Sequence, residues 1–238
     1  MANPYFQFKR FTVWHDRCAM KVGTDGALLG AWADVEGRHR ILDVGTGTGL
    51  IALMLAQRNE AALVDAIDID ADACAQARSN AAKSPFAGRI HIHHTPLADY
   101  RPPEGTRYDL IVSNPPYFAD SLPCPDDKRR VARHAGSLDL PDLLRDSLAL
   151  LAPGGLIALI LPFDRREALL AHAHVASLYP VAETHVSSVE GKAPKRLLVA
   201  LSPRIAEAAR AIPLAIETPE HHYTEGFTRL MRDFYLKI

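Results

Sequence analysis

Cysteine is scarce in this chain. Cys18, Cys74 and Cys124 lie far apart, without a Cys-x-x-Cys spacing, which argues against a zinc site or a disulfide framework and predicts reduced thiols. No sign of charge dominates: Lys plus Arg number 27 against 28 Asp plus Glu, a formal net charge of -1. Bulk electrostatics therefore do not wrap the chain around long nucleic acid, although local patches remain able to bind it. Long apolar runs are missing too, since the longest are cut by Pro153-Gly154-Gly155 and Pro162, short of a membrane span. Residues 1–10 lack the apolar centre of a secretory signal. No repeat, low-complexity tract or linker divides the sequence. These absences predict a cytoplasmic protein with no metal and no membrane partner.

What is present suits a globular protein. The 238 residues are 48% hydrophobic and 23% charged, within the range of one large domain. Residues 1–39 read as an N-terminal arm, rich in aromatics at Tyr5, Phe6, Phe8, Phe11 and Trp14, followed by a short apolar helix over 26–33. Residues 40–238 read as a core. Within it, apolar runs at 41–44, 62–67, 90–93, 108–113, 156–161, 182–189 and 196–201 predict seven strands. Helical patterns at 50–57, 70–82, 138–151 and 165–177 fall between the earlier strands. Alternation of this kind predicts an α/β, doubly wound, Rossmann-like sheet, mostly parallel. The last two strands share a short loop and must form an antiparallel hairpin.

Asp43-Val44-Gly45-Thr46-Gly47-Thr48-Gly49 stands between the first core strand and its helix. Glycines there allow a sharp turn and a close approach to a ligand, at the strand ends where nucleotides bind. A dinucleotide fingerprint needs its third glycine five residues after the first. Leu50 holds that place when counted from Gly45, so a nicotinamide oxidoreductase is a weak reading. Asp68 ends the second core strand, 19 residues beyond Gly49, and Asp70 follows it at a helix N-terminal place. Asp99 follows the third core strand.

Asn114-Pro115-Pro116-Tyr117 closes the fourth core strand, and so opens on the same crevice. The Asp-x-Gly-x-Gly-x-Gly loop resembles the first motif of class I S-adenosylmethionine methyltransferases. The tetrapeptide resembles the catalytic motif of those that act on planar amino nitrogens. The resemblance implies S-adenosyl-L-methionine as cofactor, with Asp43, Gly45, Gly47 and Gly49 beneath it and Asp99 at its adenine amine. It also implies Asp68 on the ribose, whose vicinal hydroxyls suit two carboxylate oxygens, with Asp70 a competitor that fits better as a helix N-terminal residue. It implies catalytic roles for Asn114, Pro115, Pro116 and Tyr117. Two terminal segments narrow the family: Phe8-Lys9-Arg10-Phe11 with residues 15–26, and Tyr223-Thr224-Glu225-Gly226-Phe227-Thr228 with Asp233-Phe234-Tyr235-Leu236. They resemble the bacterial valine-tRNA adenine-N(6) methyltransferases, which modify the adenine 3′ of the anticodon. Thr24 then matches a segment that contacts the cofactor's carboxylate, or else caps the following helix.

Basic residues near Lys9 and Arg10, near Arg129 and Arg130, and near Lys192 and Lys195 are expected to ring the crevice and contact tRNA phosphates. The runner-up is a release-factor glutamine methyltransferase, whose extra helical domain has little room in the first forty residues. An rRNA amino-nitrogen methyltransferase and a catalytically idle RNA-binding module remain further alternatives.

Overall fold

The computed structural model describes residues 3–16, 22–116, 139–205 and 210–238. Cys18, Tyr117, Cys124, Arg129 and Arg130 lie outside the described residues.

The arm forms a two-stranded antiparallel hairpin, β1 (Tyr5–Gln7) and β2 (Thr12–Trp14). Helix α1 (Thr24–Trp32) follows, buried from Gly26 to Ala31. The chain then alternates strands with helices: β3 (Arg40–Val44), α2 (Leu50–Arg58), β4 (Leu63–Asp68), α3 (Ala71–Ala82), β5 (Ile90–His94) and β6 (Tyr108–Ser113). Beyond come α4 (Leu140–Leu150), β7 (Leu151–Pro162), α5 (Arg166–Val175), β8 (Tyr179–Val189), β9 (Arg196–Ser202), β10 (Ala211–Glu217) and α6 (Glu225–Met231). Pro141 sits in the first turn of α4, and Asp139 caps it by accepting from the Asp142 amide at 2.9 Å.

The sheet has the order β10-β8-β9-β7-β6-β3-β4-β5. Among the described strands of that sheet, only β9 runs against the rest; it pairs antiparallel with both β7 and β8. The predicted doubly wound sheet and terminal hairpin are present. Its strand count is eight rather than seven, because β10 adds outside β8 in parallel register, Ala211 beside Glu183. Pro213 lies within β10, and an edge position tolerates a residue that cannot donate to a second neighbour. A second difference concerns the predicted break at residues 153–155. β7 runs straight through Pro153-Gly154-Gly155, with a register shift against β6 between Tyr108 and Leu110. A Cβ on Gly155 would stand 2.8 Å from the Tyr108 carbonyl oxygen, so only glycine permits this strand to pass.

Apolar side chains fill both faces. One cluster joins α1, α2, the hairpin and α6 through Leu28, Leu53, Met54, Phe8, Phe227 and Phe234. The other joins α4 and α5 to the opposite face through Leu144, Leu169, Ile157 and Leu159. Phe8 bridges to Tyr235, and the Lys9 amide donates to the Phe234 carbonyl at 2.8 Å. The two terminal segments singled out in the sequence thus pack on each other.

Candidate active site

Parallel strands deliver the ends of β3, β4, β5 and β6 to one edge of the sheet, and the candidate residues gather there. At the end of β3, the Gly45 and Thr46 amides both donate to the Ile67 carbonyl, at 2.9 and 3.0 Å. Gly45, Gly47 and Gly49 have φ of 73°, 54° and 81°, in the left-handed region that residues with a side chain enter at a cost. A Cβ at Gly45 or Gly47 would meet nothing within 4 Å, so these backbones face open space. Gly49 instead rests against α3, where a Cβ would stand 3.3 Å from that of Ala77.

Two carboxylates hold this loop. Asp43 is fully buried, and its Oδ2 accepts from the Thr46 hydroxyl at 2.6 Å and the Ala52 amide at 3.2 Å. Burial pushes its carboxyl up from 3.8 to about 7, against those two hydrogen bonds and with a smaller contribution from the Asp68 charge. Its Oδ1 is buried without a partner among the described residues. Asp68, half-buried at the end of β4, accepts from the Gly47 amide at 2.8 Å through Oδ2 and the Asp70 amide at 3.0 Å through Oδ1. Asp70 itself caps α3 through the Asp72 and Ala73 amides. The two acids differ in place: Asp68 touches the loop, and Asp70 holds the helix.

Asp99 is exposed in a single turn after β5, at the same edge. Asn114 is half-buried directly after β6, with Pro115 buried and Pro116 exposed beyond it. The fully buried Ser113 donates from its hydroxyl to the Val44 carbonyl at 2.8 Å, which ties the end of β6 to the start of the glycine loop. Thr24 is the first residue of α1 and is exposed, while Gly23 occupies the N-cap. The capping alternative for Thr24 is therefore not what the structure shows. Its neighbour Asp25 pairs with Arg196 of β9.

The basic segments divide. β8 runs with the parallel strands, so the 190–195 turn opens on the glycine-loop edge, with Lys192 and Lys195 exposed. Lys9 and Arg10 do not join them. They share a cleft with Gly37, Arg58, Asn59 and Arg232, beside the starts of β3 and β4 at the opposite edge. The guanidinium of Arg10 stacks 5.3 Å from the Phe86 ring. This corrects the expected ring of three basic segments: charge along a chain does not tell which end of a sheet receives it. Two residues escaped the sequence reading. Ile69, beside Asp68, leaves 52% of its surface exposed at the site, and Asn80 is fully buried beneath the loop. An apolar residue between two acids was the available signal for Ile69, whereas nothing local sets Asn80 apart from other polar helical residues.

A family model described as methyltransferase small domain matches residues 19–137. A predicted O-methyltransferase from Agrobacterium tumefaciens has a similar structure, with TM-score 0.67 and 22% identity over 88% of this chain and 96% of that one. A ribosomal protein L11 methylase from Lactobacillus delbrueckii also shares the fold, with TM-score 0.52 and 22% identity over 74% and 76%. Fold and glycine loop thus define a Rossmann-like methyltransferase. Among curated relatives, the tRNA1(Val) (adenine(37)-N6)-methyltransferase of Parabacteroides distasonis is 62% identical over the whole of both chains. The protein of that name from Klebsiella pneumoniae is 45% identical over 97% of this chain and 94% of its own. The chain belongs to the tRNA1(Val) (adenine(37)-N6)-methyltransferase family.

Proposed function

We propose that this protein methylates the N6 amine of adenine 37 in valine tRNA, using S-adenosyl-L-methionine, in the cytoplasm, with residues 1–238 acting as one methyltransferase domain. The observation that carries the reading is the meeting of the glycine loop and Asn114-Pro115-Pro116 on adjacent strands, tied by Ser113. The residues present fit the cofactor. Gly45 and Gly47 leave open backbone for it, and the unpaired Oδ1 of Asp43 suits an approaching N–H donor. Asp68 retains lone pairs for the ribose hydroxyls beyond those that hold the loop. Ile69 offers an apolar face and Asp99 an acceptor for the adenine end, and Thr24 adds a hydroxyl at the rim. When bound, the cofactor supplies a methyl group made electrophilic by its sulfonium.

The chain's own work lies at the acceptor amine. An exocyclic amine conjugated with its ring is a poor nucleophile, because its lone pair is delocalised. The Asn114 side-chain oxygen and the Pro115 carbonyl accept its two N–H groups and draw the nitrogen towards tetrahedral geometry. Both acceptors stabilise the positive charge that appears on nitrogen as its bond to the methyl carbon forms and the sulfur–carbon bond breaks. Interactions that strengthen in this way lower the barrier rather than only tightening binding. The methylated nitrogen then sheds a proton to water, so no strong base is required. Pro115 and Pro116 restrict the backbone that presents the carbonyl. Tyr117 stacks on the extruded base. Lys192 and Lys195, at the glycine-loop edge, neutralise tRNA phosphates, and the charges of Arg129 and Arg130 suit them to the same task.

Incubation of the enzyme and labelled cofactor with total tRNA from a strain lacking it, followed by nucleoside mass spectrometry, tests the reading. N6-methyladenosine at position 37 of valine tRNA is expected. Unlabelled tRNA, with label instead on a release factor or on rRNA supplied in parallel reactions, would replace it with one of the alternatives.

A further inference from the structure

We infer that Asn80 is a positioning residue for the cofactor loop, a latch that fastens both the N-terminal arm and the glycine loop to α3. Resting on the methyltransferase reading above, this inference concerns what holds the loop in shape. The Asn80 side chain is fully buried, and both its oxygen and its nitrogen are spent on backbone groups. Oδ1 accepts from the Trp14 amide at 3.0 Å, while Nδ2 donates to the Trp14 carbonyl and to the Thr48 carbonyl, each at 2.9 Å. The orientation of the amide is fixed by chemistry, since the Trp14 N–H must meet the oxygen and both carbonyls must meet the nitrogen.

Three elements distant in sequence therefore depend on one side chain. Thr48 lies between Gly47 and Gly49, both of which adopt the left-handed conformation. Ala77, three residues before Asn80 on the same face of α3, supports Gly49 by contact. On its other side Asn80 closes the end of β2 in the manner of a strand partner, taking both the amide and the carbonyl of Trp14. The Trp14 ring is clamped by Tyr5, with centroids 5.0 Å apart, and by the Lys83 ammonium at 5.5 Å. Loss of the Asn80 amide would free the arm and loosen the Thr48 carbonyl together. The loop amides would then meet the cofactor from a broader set of conformations, and binding would weaken by the fraction no longer in the competent shape.

The test compares wild type, Asn80→Ala and Asn80→Asp, with Ser84→Ala as a control for stability. Asn80→Asp keeps volume and the acceptor for the Trp14 amide but turns an oxygen onto the two carbonyls. Ser84, just past the C-terminus of α3, makes its hydrogen bonds to Ala81 and Phe86 rather than to the loop or the arm. Calorimetric titration with S-adenosylhomocysteine should show about tenfold weaker binding for both Asn80 variants, the scale of one lost buried hydrogen bond. KM for S-adenosylmethionine should rise similarly, while kcat at saturating cofactor stays within about twofold. Hydrogen exchange of the amides over 44–50 should quicken in both Asn80 variants without any ligand, and stay unchanged in Ser84→Ala. A folded Asn80→Ala or Asn80→Asp with wild-type loop exchange and wild-type affinity would overturn the latch. If wild type failed to bind S-adenosylhomocysteine at all, the cofactor assignment would fall, and the exchange of 44–50 would still decide the latch.

Discussion

Asp43→Asn separates the electrostatic cost of the buried carboxylate from its hydrogen bonds. Burial raises the Asp43 carboxyl from 3.8 to about 7 in the folded protein without ligand. Folding therefore binds the proton more tightly than the unfolded chain does. Below pH 3.8 both states hold it, and Asp43 contributes no pH dependence. Between 3.8 and about 7 the unfolded chain releases its proton first, so stability falls as pH rises, and above about 7 the loss is complete. A rise of that size corresponds to about 4 kcal/mol. In the variant, the asparagine oxygen still accepts from Thr46 and Ala52, and its amide replaces the oxygen that lacks a partner. The variant carries no charge to lose. Urea denaturation of both proteins across about pH 4.5–8.5, without cofactor, should show their stabilities diverging in favour of the variant as pH rises to about 7, by about 3 kcal/mol over that window, and running parallel above it. Parallel curves across the whole range would refute the reasoning.

Further outcomes follow from the same geometry. Asp68→Ala should weaken S-adenosylhomocysteine binding by about 1.5–3 kcal/mol, the value of hydrogen bonds to a charged acceptor; unchanged calorimetric affinity in a folded variant would remove Asp68 from the cofactor site. Combined Lys192→Ala and Lys195→Ala should make tRNA affinity less sensitive to salt, with the slope lowered by about 0.7–0.9 for each phosphate no longer neutralised. Lys9→Ala with Arg10→Ala, at the opposite edge, should leave that slope unchanged in the same filter-binding series. Tyr108→Phe removes a buried hydroxyl held between Asp65, at 2.8 Å, and the Tyr100 hydroxyl, at 2.7 Å. It should lower unfolding free energy by about 1–3 kcal/mol without moving cofactor affinity.

What was legible in the sequence was what the backbone demands. Glycines at alternate positions after a strand, a capping acid at Asp70 and a proline pair after β6 each impose a local geometry that the order of residues reveals. Helices and central strands followed from their periodicity to within a few residues. Features set by distant contacts were not legible. β10 carries Pro213 and only an edge position makes that acceptable, while β1 and β2 are three residues each and gain their shape from Asn80 and the C-terminal segment. The Pro153-Gly154-Gly155 run looked like a stop, and its glycines instead admit a bulged strand beside Tyr108. Asn80 carried no local signal, because its partners lie 66 and 32 residues away. Lys9 and Arg10 misled for the opposite reason: their charge was plain, and their place at the other edge of the sheet was not.

Single-turnover methyl transfer by Asn114→Ala is the most direct test of the account. In the proposed mechanism the Asn114 oxygen acts as charge appears on the acceptor nitrogen, so its loss should slow transfer to unmodified valine tRNA by roughly 10²–10³, the scale for one oriented polar stabiliser. Affinities for S-adenosylhomocysteine and for tRNA should stay close to those of wild type, because neither ground state leans on that contact. N6-methyladenosine formed by Asn114→Ala at near the wild-type rate would contradict the mechanism.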